Sequence, residues 1–257
     1  EAASSDEAFV APVASMTYVG FEDRFRGSEE EIRRRVEDYL PILSTAAPAT
    51  TGVVDIGCGR GELLQALRER GVAARGVDAN HAMAELCRAR GLDVDESDAL
   101  SFLQVQPAAS VGGLVAIQVV EHFTPAYLTG FLSSAYQALA PGAPLILETI
   151  NPACWSAFFE TYIRDLTHQR PLHPDTLKYL VQASGFTQVD VQFRQPVREN
   201  DRLARVRADE PAGQGDRAGA PTQAIGGADL AAVLNDHADK LNARLFSFFD
   251  CVVIARR

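Results

Sequence analysis

Paired cysteines are missing from this chain of 257 residues: Cys58, Cys87, Cys154 and Cys251 lie far apart, with no C-x-x-C among them. That spacing excludes a cysteine zinc site and a disulfide framework, and suits reduced thiols in the cytoplasm. No apolar run approaches the ~20 residues that cross a bilayer, so no membrane span is expected. The start, Glu1 to Ser15, lacks the basic segment and long apolar core of a signal peptide. Positive charge is in deficit. A formal charge of -10 and a pI near 5.0 argue against nucleic acid as the main partner. The arginine cluster at 24, 26 and 33–35 is the exception, and Arg33 to Arg35 read as a solvated helix face. There is no internal repeat. What is present is apolar residue: at 47% hydrophobic the chain can bury a core, which excludes global disorder.

Ser28 followed by Glu31 is a capping box. Behind it Ile32, Val36, Tyr39 and Leu40 recur at helical spacing until Pro41, which is expected to stop the helix. Residues 1–50 therefore read as a tail and a helical extension, one that could support a homodimer, before a domain at 51–257. From Gly52 strands (52–57, 73–77, 92–95, 111–119, 143–149) alternate with helices (61–70, 80–90, 98–104, 124–139). Such alternation predicts a parallel sheet covered on both faces, with every strand's C-terminal end on one edge. Beyond Glu148 comes an aromatic-rich helical stretch, 152–167, then a helix from Pro174 to Ser184 and a strand from Phe186 to Phe193. Residues 197–227 are poor in large apolar groups and predict a mobile loop or lid. An amphipathic helix marked by Leu230, Leu241 and Phe246 and a last strand, Phe248 to Ala255, complete the chain.

The run Val53-Val54-Asp55-Ile56-Gly57-Cys58-Gly59-Arg60-Gly61-Glu62 is a strand, a glycine turn and a helix start, where a ligand can meet bare backbone. Asp78 closes a second apolar run, and its carboxylate can take both hydroxyls of a ribose. A dinucleotide site needs G-x-G-x-x-G. Here the third glycine, Gly61, comes one residue early, and Glu62 stands where that pattern wants glycine. D-x-G-x-G-x-G at 55–61 resembles the first motif of class I S-adenosylmethionine (SAM) methyltransferases. That resemblance implies SAM as cofactor and a Rossmann-like α/β fold. The expected sheet is doubly wound, seven-stranded and mostly parallel, with an antiparallel last strand. Gly57, Cys58 and Gly59 would approach the cofactor by backbone, and Asp55 would anchor the turn or reach the SAM ammonium through water. Ala79 follows the ribose acid. Asp98-Ala99 resembles the family's adenine-edge motif, although Asp98 alone also suits a helix N-cap.

Ile117 to Phe123 falls at the end of the fourth strand, where such enzymes place groups touching donor and acceptor. Gln118 is expected at the cofactor, with Glu121 and His122 at the reacting centre. A base at His122 would contribute ~10²–10⁴-fold for a hydroxyl acceptor; the alternative is that the pair caps the next helix. Glu121-His122 also looks like a metal pair of some quinone-type methyltransferases. Their further acid falls at Gln118 here, so Mg2+ stands on that likeness alone and no metal ligand is assigned. Asp165 and His168, three apart, would share a helical face. With Tyr162, Arg170 and Trp155 they are the candidates to grip an acceptor. His81 and His237 read as surface histidines.

The segment Phe21-Glu22-Asp23-Arg24-Phe25-Arg26-Gly27-Ser28 is similar to one in bacterial methyltransferases of surface-polysaccharide clusters. D-x-T-H-x-R-P-L at 165–172 and L-E-T-x-N-P at 147–152 match as well. This resemblance implies an O-methyltransferase acting on a saccharide or glycan-linked hydroxyl, with Arg26 and Gly27 at the SAM carboxylate, where an arginine fits bidentately. The alternatives are a quinone, phenol or natural-product methyltransferase, whose acceptor ring Trp155, Phe159 and Tyr162 would hold, and a non-catalytic SAM-binding module. A nucleic-acid methyltransferase is disfavoured, because no N/D-P-P-Y/F tetrad follows the fourth strand.

Overall fold

The computed structural model describes residues 27–45, 51–207 and 227–257. Its strands are β1 (Val53–Ile56), β2 (Ala74–Asp78), β3 (Val94–Glu96), β4 (Gly113–Ile117), β5 (Pro144–Ile150), β6 (Thr187–Pro196) and β7 (Phe248–Arg256). Among the described residues these form one sheet in the order β3-β2-β1-β4-β5-β7-β6. The first five pair in parallel. β7 runs antiparallel to both neighbours, inserted between β5 and the edge strand β6. The expected seven-stranded Rossmann-like sheet is therefore the observed one. β1 and β5 are buried along their whole length, as a strand covered on both faces must be.

The helices are α1 (Glu29–Glu37), α2 (Leu40–Ser44), α3 (Glu62–Glu69), α4 (His81–Ala89), α5 (Ala99–Gln104), α6 (Pro125–Ala138), α7 (Pro174–Ala183) and α8 (Gly227–Leu245). One face of the sheet packs Phe131, Leu132, Leu177 and Val181 against Leu114, Leu145 and Val253. The other packs Ile32, Val36, Tyr39 and Leu43 against Val115, Ile146 and Val252. Each such fully buried side chain contributes roughly 1.5–3 kcal/mol. The N-terminal helices thus cover the sheet directly. No described helix is long and apolar enough to cross a membrane.

Three sequence expectations change. The capping box forms, with Ser28 Oγ accepting from Glu31 N and the Glu31 carboxylate accepting from Ser28 N. The helix behind it ends at Glu37, and Pro41 lies in the first turn of α2, where a missing N–H costs nothing. The stretch 152–167 is no continuous helix: it holds a π-turn (Ala157–Thr161), then a 3-10 turn (Tyr162–Arg164) that Asp165 ends in extended geometry. The strand expected over 111–119 stops at Ile117, because Gln118 takes a left-handed φ of 56° and turns the chain into a 3-10 turn, Val120–His122. Of the expected lid, residues 203–206 lie along α8, held by Asn235 and Asn242 side chains, and 208–226 lie outside the described residues.

Candidate functional site

The C-terminal ends of the parallel strands open into a cavity of about 460 Å3, in the size range of small-molecule sites. Parallel pairing brings both acids of the sequence pattern to this edge. Gly57 N and Cys58 N donate to Val77 O, which holds the turn after β1 against the end of β2. Gly57 and Gly59 have φ of +65° and +54°, a region costly for residues with a Cβ. A Cβ on Gly57 would also sit 2.5 Å from Val119 Cγ2. Asp78 accepts from Gly59 N and from Asn80 N, each at 2.8 Å, one bond per carboxylate oxygen. A carboxylate oxygen can accept more than one hydrogen bond, so an acid that fixes the turn is also of the right type to take ribose hydroxyls. Asp98 caps α5 through Ser101 N at 2.9 Å and accepts from the Tyr127 hydroxyl. That hydroxyl accepts in turn from Leu100 N at 2.9 Å. The N-cap role is realised, and Ala99 stands at the cavity wall beside it.

At the other end of the cavity the 3-10 turn after β4 carries Glu121 and His122. Glu121 is 1% exposed, and neither carboxylate oxygen has a hydrogen-bond partner. Burial pushes its carboxyl up to about 8; the nearby Thr149 hydroxyl pulls the other way. The loop after Asp165 wraps onto this turn, with Gln169 N donating to Glu121 O at 2.9 Å. Asp165 Oδ1 accepts from Thr167 N at 2.8 Å, an Asx turn, and from Thr167 Oγ1 at 2.6 Å. The hydroxyl's single proton is thereby committed, so at 2.9 Å Thr167 Oγ1 accepts from His122 Nδ1–H. His168 Nδ1 lies 2.7 Å from the Tyr162 carbonyl, which can only accept. His122 is therefore held in the tautomer that leaves a lone pair on Nε2, while on His168 Nδ1–H is committed to the carbonyl and Nε2 lies 3.9 Å from Asp165 Oδ2. Burial, and next the His168 ring, push His122 down to about 4, against the pull of Asp165. The two rings lie 4.7 Å apart.

A third group lies over β5, β7 and β6. Gln118 Nε2 donates to Asp250 Oδ1 at 3.0 Å, and Gln195 Nε2 donates to Asp250 Oδ2 at 2.7 Å. Arg35 donates to Gln195 Oε1, and the Tyr39 hydroxyl donates to Glu148. Burial raises both carboxyls, Asp250 to about 7 with Glu148 adding to it. α1 is thus tied to the far side of the sheet through a buried polar network.

Eleven of the residues singled out from sequence meet in this one cavity: Gly57, Gly59, Asp78, Ala79, Asp98, Ala99, Gln118, Glu121, His122, Asp165 and His168. Others do not. Asp55 and Cys58 line a separate crevice beneath α1, and the Cys58 side chain packs with Leu64, Ala84 and Cys87 because the turn points it away from the cavity. Gln118 is held by carboxylates rather than left free for a cofactor. Asp165 and His168 meet through a turn, not a helical face. Tyr162 stacks on His168 at 4.6 Å but stands behind it. Trp155 is 56% exposed, Phe159 is 54% exposed, Arg170 is exposed too, and none of the three lines the cavity. Phe159 lies within the π-turn, and Trp155 stands just before it. Arg26 lies outside the described residues; the adjacent Gly27 O accepts from Arg60 of the glycine turn at 3.1 Å. Sequence reasoning missed Thr167, Asn80, Tyr127, Gln195 and Asp250. Only Asn80 carried a usable signal, as an N-cap ahead of α4.

The residues present fit SAM: a bare-backbone turn, an acid at the end of β2 on the cavity wall and a second wall at Asp98-Ala99. A family model described as "Methyltransferase domain" matches residues 28–191. A crystal structure of a SAM-dependent methyltransferase from Archaeoglobus fulgidus is 31% identical, with a TM-score of 0.79, covering 93% of this chain and 99% of that one. A phosphoethanolamine N-methyltransferase of Haemonchus contortus, solved with S-adenosylhomocysteine, shares the fold at 17% identity and a TM-score of 0.55, covering 92% of this chain and 59% of that one. A ubiquinone biosynthesis O-methyltransferase of Idiomarina loihiensis is 29% identical over 104 residues, 38% of this chain and 42% of that protein. The match thus spans less than half of that relative's length. With the glycine turn, the second acid and these likenesses in agreement, the chain belongs to the methyltransferase domain family and is a SAM-dependent methyltransferase.

Proposed function

We propose that the acceptor is a small phenolic or quinone-type molecule and that the methyl goes to its hydroxyl oxygen. The observation that carries this reading is the size of the cavity. About 460 Å3 has to serve cofactor and acceptor together, which suits a single ring better than a glycan chain. Ile150 and Phe249 add apolar groups to the wall of the cavity that His122 and His168 also line. They take the place that Trp155, Phe159 and Tyr162 were expected to fill. The match to a ubiquinone biosynthesis O-methyltransferase supports the same class.

Bound SAM supplies an electrophilic methyl on its sulfonium. The protein's own work is then to align a hydroxyl oxygen with that methyl and to remove its proton. Alignment is worth much of the rate in an in-line displacement. Asp78 and the glycine turn fix one partner; the turn at 120–122 and the loop at 165–169 fix the other. In the metal-free protein a neutral imidazole takes the proton. His122 is the better placed of the two, because Thr167 Oγ1 receives its Nδ1–H and is itself held by donating to Asp165.

The saccharide reading remains the second one, favoured by Arg164, Asp165 and Thr167 at the cavity wall. Labelled SAM offered with simple phenols and quinols, and separately with mono- and oligosaccharides, distinguishes the two. Transfer to phenols is expected. Transfer to sugars alone would reverse the order, and a SAM-binding protein inert to both would leave a binding module.

A further inference from the structure

Glu121 poses a physical problem. A carboxyl that is 1% exposed, with both oxygens unpartnered, forgoes the hydrogen bonds that normally accompany burial. The buried Thr149 hydroxyl is close enough to favour the charged carboxylate, but neither group completes a well-formed hydrogen bond. Beside Glu121 stand two imidazoles, each with its Nδ1–H already given away and Nε2 as its remaining nitrogen; the Nε2 of His168 also lies 3.9 Å from Asp165 Oδ2. One donor atom from each of Glu121, His122 and His168 lies within 4.8 Å of the other two.

From this juxtaposition we propose that Glu121, His122 and His168 form a binding site for a divalent transition-metal ion, at the acceptor end of the cavity. Two imidazoles and one carboxylate is a donor set suited to zinc, manganese, iron, cobalt or nickel. It suits Mg2+ poorly, since Mg2+ prefers oxygen ligands and keeps its waters. The set also differs from a glutamate-histidine pair completed by an acid at position 118. Gln118 is turned to Glu148 and Asp250, and the third donor comes instead from the loop after the 3-10 turn.

The support around these donors is what a metal site requires. A ligating histidine gives its other N–H to a carbonyl, a carboxylate or a relay to one, which fixes the ring and raises its basicity. His168 gives its N–H to the Tyr162 carbonyl at 2.7 Å. His122 gives its N–H to Thr167 Oγ1 at 2.9 Å, and Thr167 passes the polarisation to Asp165 at 2.6 Å. Donors about 2.1 Å from an ion stand roughly 3–3.5 Å from one another. Closing from 4.8 Å therefore needs movements of about an ångström, within reach of side-chain rotation. Bound there, the ion would supply a Lewis acid that lowers the pKa of an acceptor hydroxyl, taking over from the imidazole the task of making that oxygen nucleophilic.

The inference rests on the proposed O-methyl transfer only for its purpose; the site itself stands or falls on binding. Full-length protein stripped with EDTA and dialysed should take up one Co2+ per chain with a Kd in the micromolar range or below. Visible d–d bands should report nitrogen and oxygen ligation. Glu121→Gln and His168→Gln should each weaken uptake at least about 100-fold while leaving SAM affinity unchanged. Thr167→Val, which touches no ion, should weaken it about 10–100-fold, and Thr167→Ser should restore it. Absence of Co2+, Zn2+ or Mn2+ uptake below millimolar would overturn the site, as would uptake indifferent to Glu121→Gln. If that variant fails to fold, His122→Asn replaces it in the series. Uptake without phenol methylation sinks the proposed acceptor alone; methylation by a protein that binds no ion sinks the site alone.

Discussion

The two ends of the cavity are built by opposite means. The cofactor end is made of backbone: a glycine turn whose N–H groups and left-handed φ values are dictated by residue type, with one acid, Asp78, bracing it. The acceptor end is made of side chains on irregular segments: a 3-10 turn, an Asx turn, a π-turn and a buried carboxylate network. Backbone geometry tolerates few sequences, so that end is tightly constrained by residue type. Side chains on turns can be exchanged one at a time, so chemistry and acceptor choice are free to vary there. If the division is real, damage at one end should leave the other end's measurement untouched.

The largest effect is expected at the acceptor end. His122→Ala should lower turnover by about 10²–10⁴-fold, the usual worth of a positioned base. Calorimetry should find its SAM affinity within about twofold of wild type; a variant that loses SAM as well would erase the division. The mirror experiment is Asp78→Ala. Losing two charge-assisted bonds to a ribose, at about 1.5–3 kcal/mol each, should weaken SAM by roughly 10²-fold or more. Unchanged affinity would remove Asp78 from the cofactor site. Gly57→Ala comes next. The left-handed backbone alone costs about 1–2 kcal/mol, and the new Cβ meets Val119. A chemical denaturation curve should show that loss, and Val119→Ala in the same chain should recover the steric part only.

This division also explains what could be read without coordinates. Seven strands and their alternation with helices follow from hydrophobic period and glycine stops, which are local. The antiparallel insertion of the last strand follows only from the resemblance to class I methyltransferases. Gly57, Gly59 and Asp78 were legible because spacing along the chain fixes spacing in the turn. Thr167 and Asp250 were not legible. A threonine between Asp165 and His168 becomes a relay only when the loop folds onto Glu121, and that contact is long-range. Asp250 sits in an apolar strand and meets Gln118 and Gln195 across three strands. Trp155 misled for the same reason. An aromatic run at helical spacing reads as a wall, but the stretch passes from α to π geometry after Ser156 and leaves the Trp155 ring exposed outside the cavity.

The buried network offers a smaller effect with a definite sign. Burial, then Glu148, raise Asp250 from an ordinary 3.8 to about 7. Between those values the unfolded chain ionises this carboxyl and the folded chain does not, so folding stability falls as pH rises from about 4 to about 7. Asp250→Asn should flatten that part of the pH profile in urea unfolding at pH 5 and pH 8. SAM affinity should be unaffected at either pH. A profile that keeps its slope would mean that Glu148 carries the titration.

Trp155→Ala is expected to do least, and for that reason it tests where the acceptor end stops. The ring is 56% exposed and touches Phe159 at 5.2 Å, outside the cavity wall. Stability should change by about 0.5 kcal/mol, the scale of surface substitutions, and kcat/KM for a small phenol should stay within about twofold. Suppose instead that kcat/KM for a long-chain acceptor falls about tenfold while that for the bare ring holds. The acceptor would then run out of the cavity along Trp155 and Phe159. The aromatic run would be a binding surface after all, one that a small acceptor never reaches, and the cavity's volume would cease to limit acceptor size.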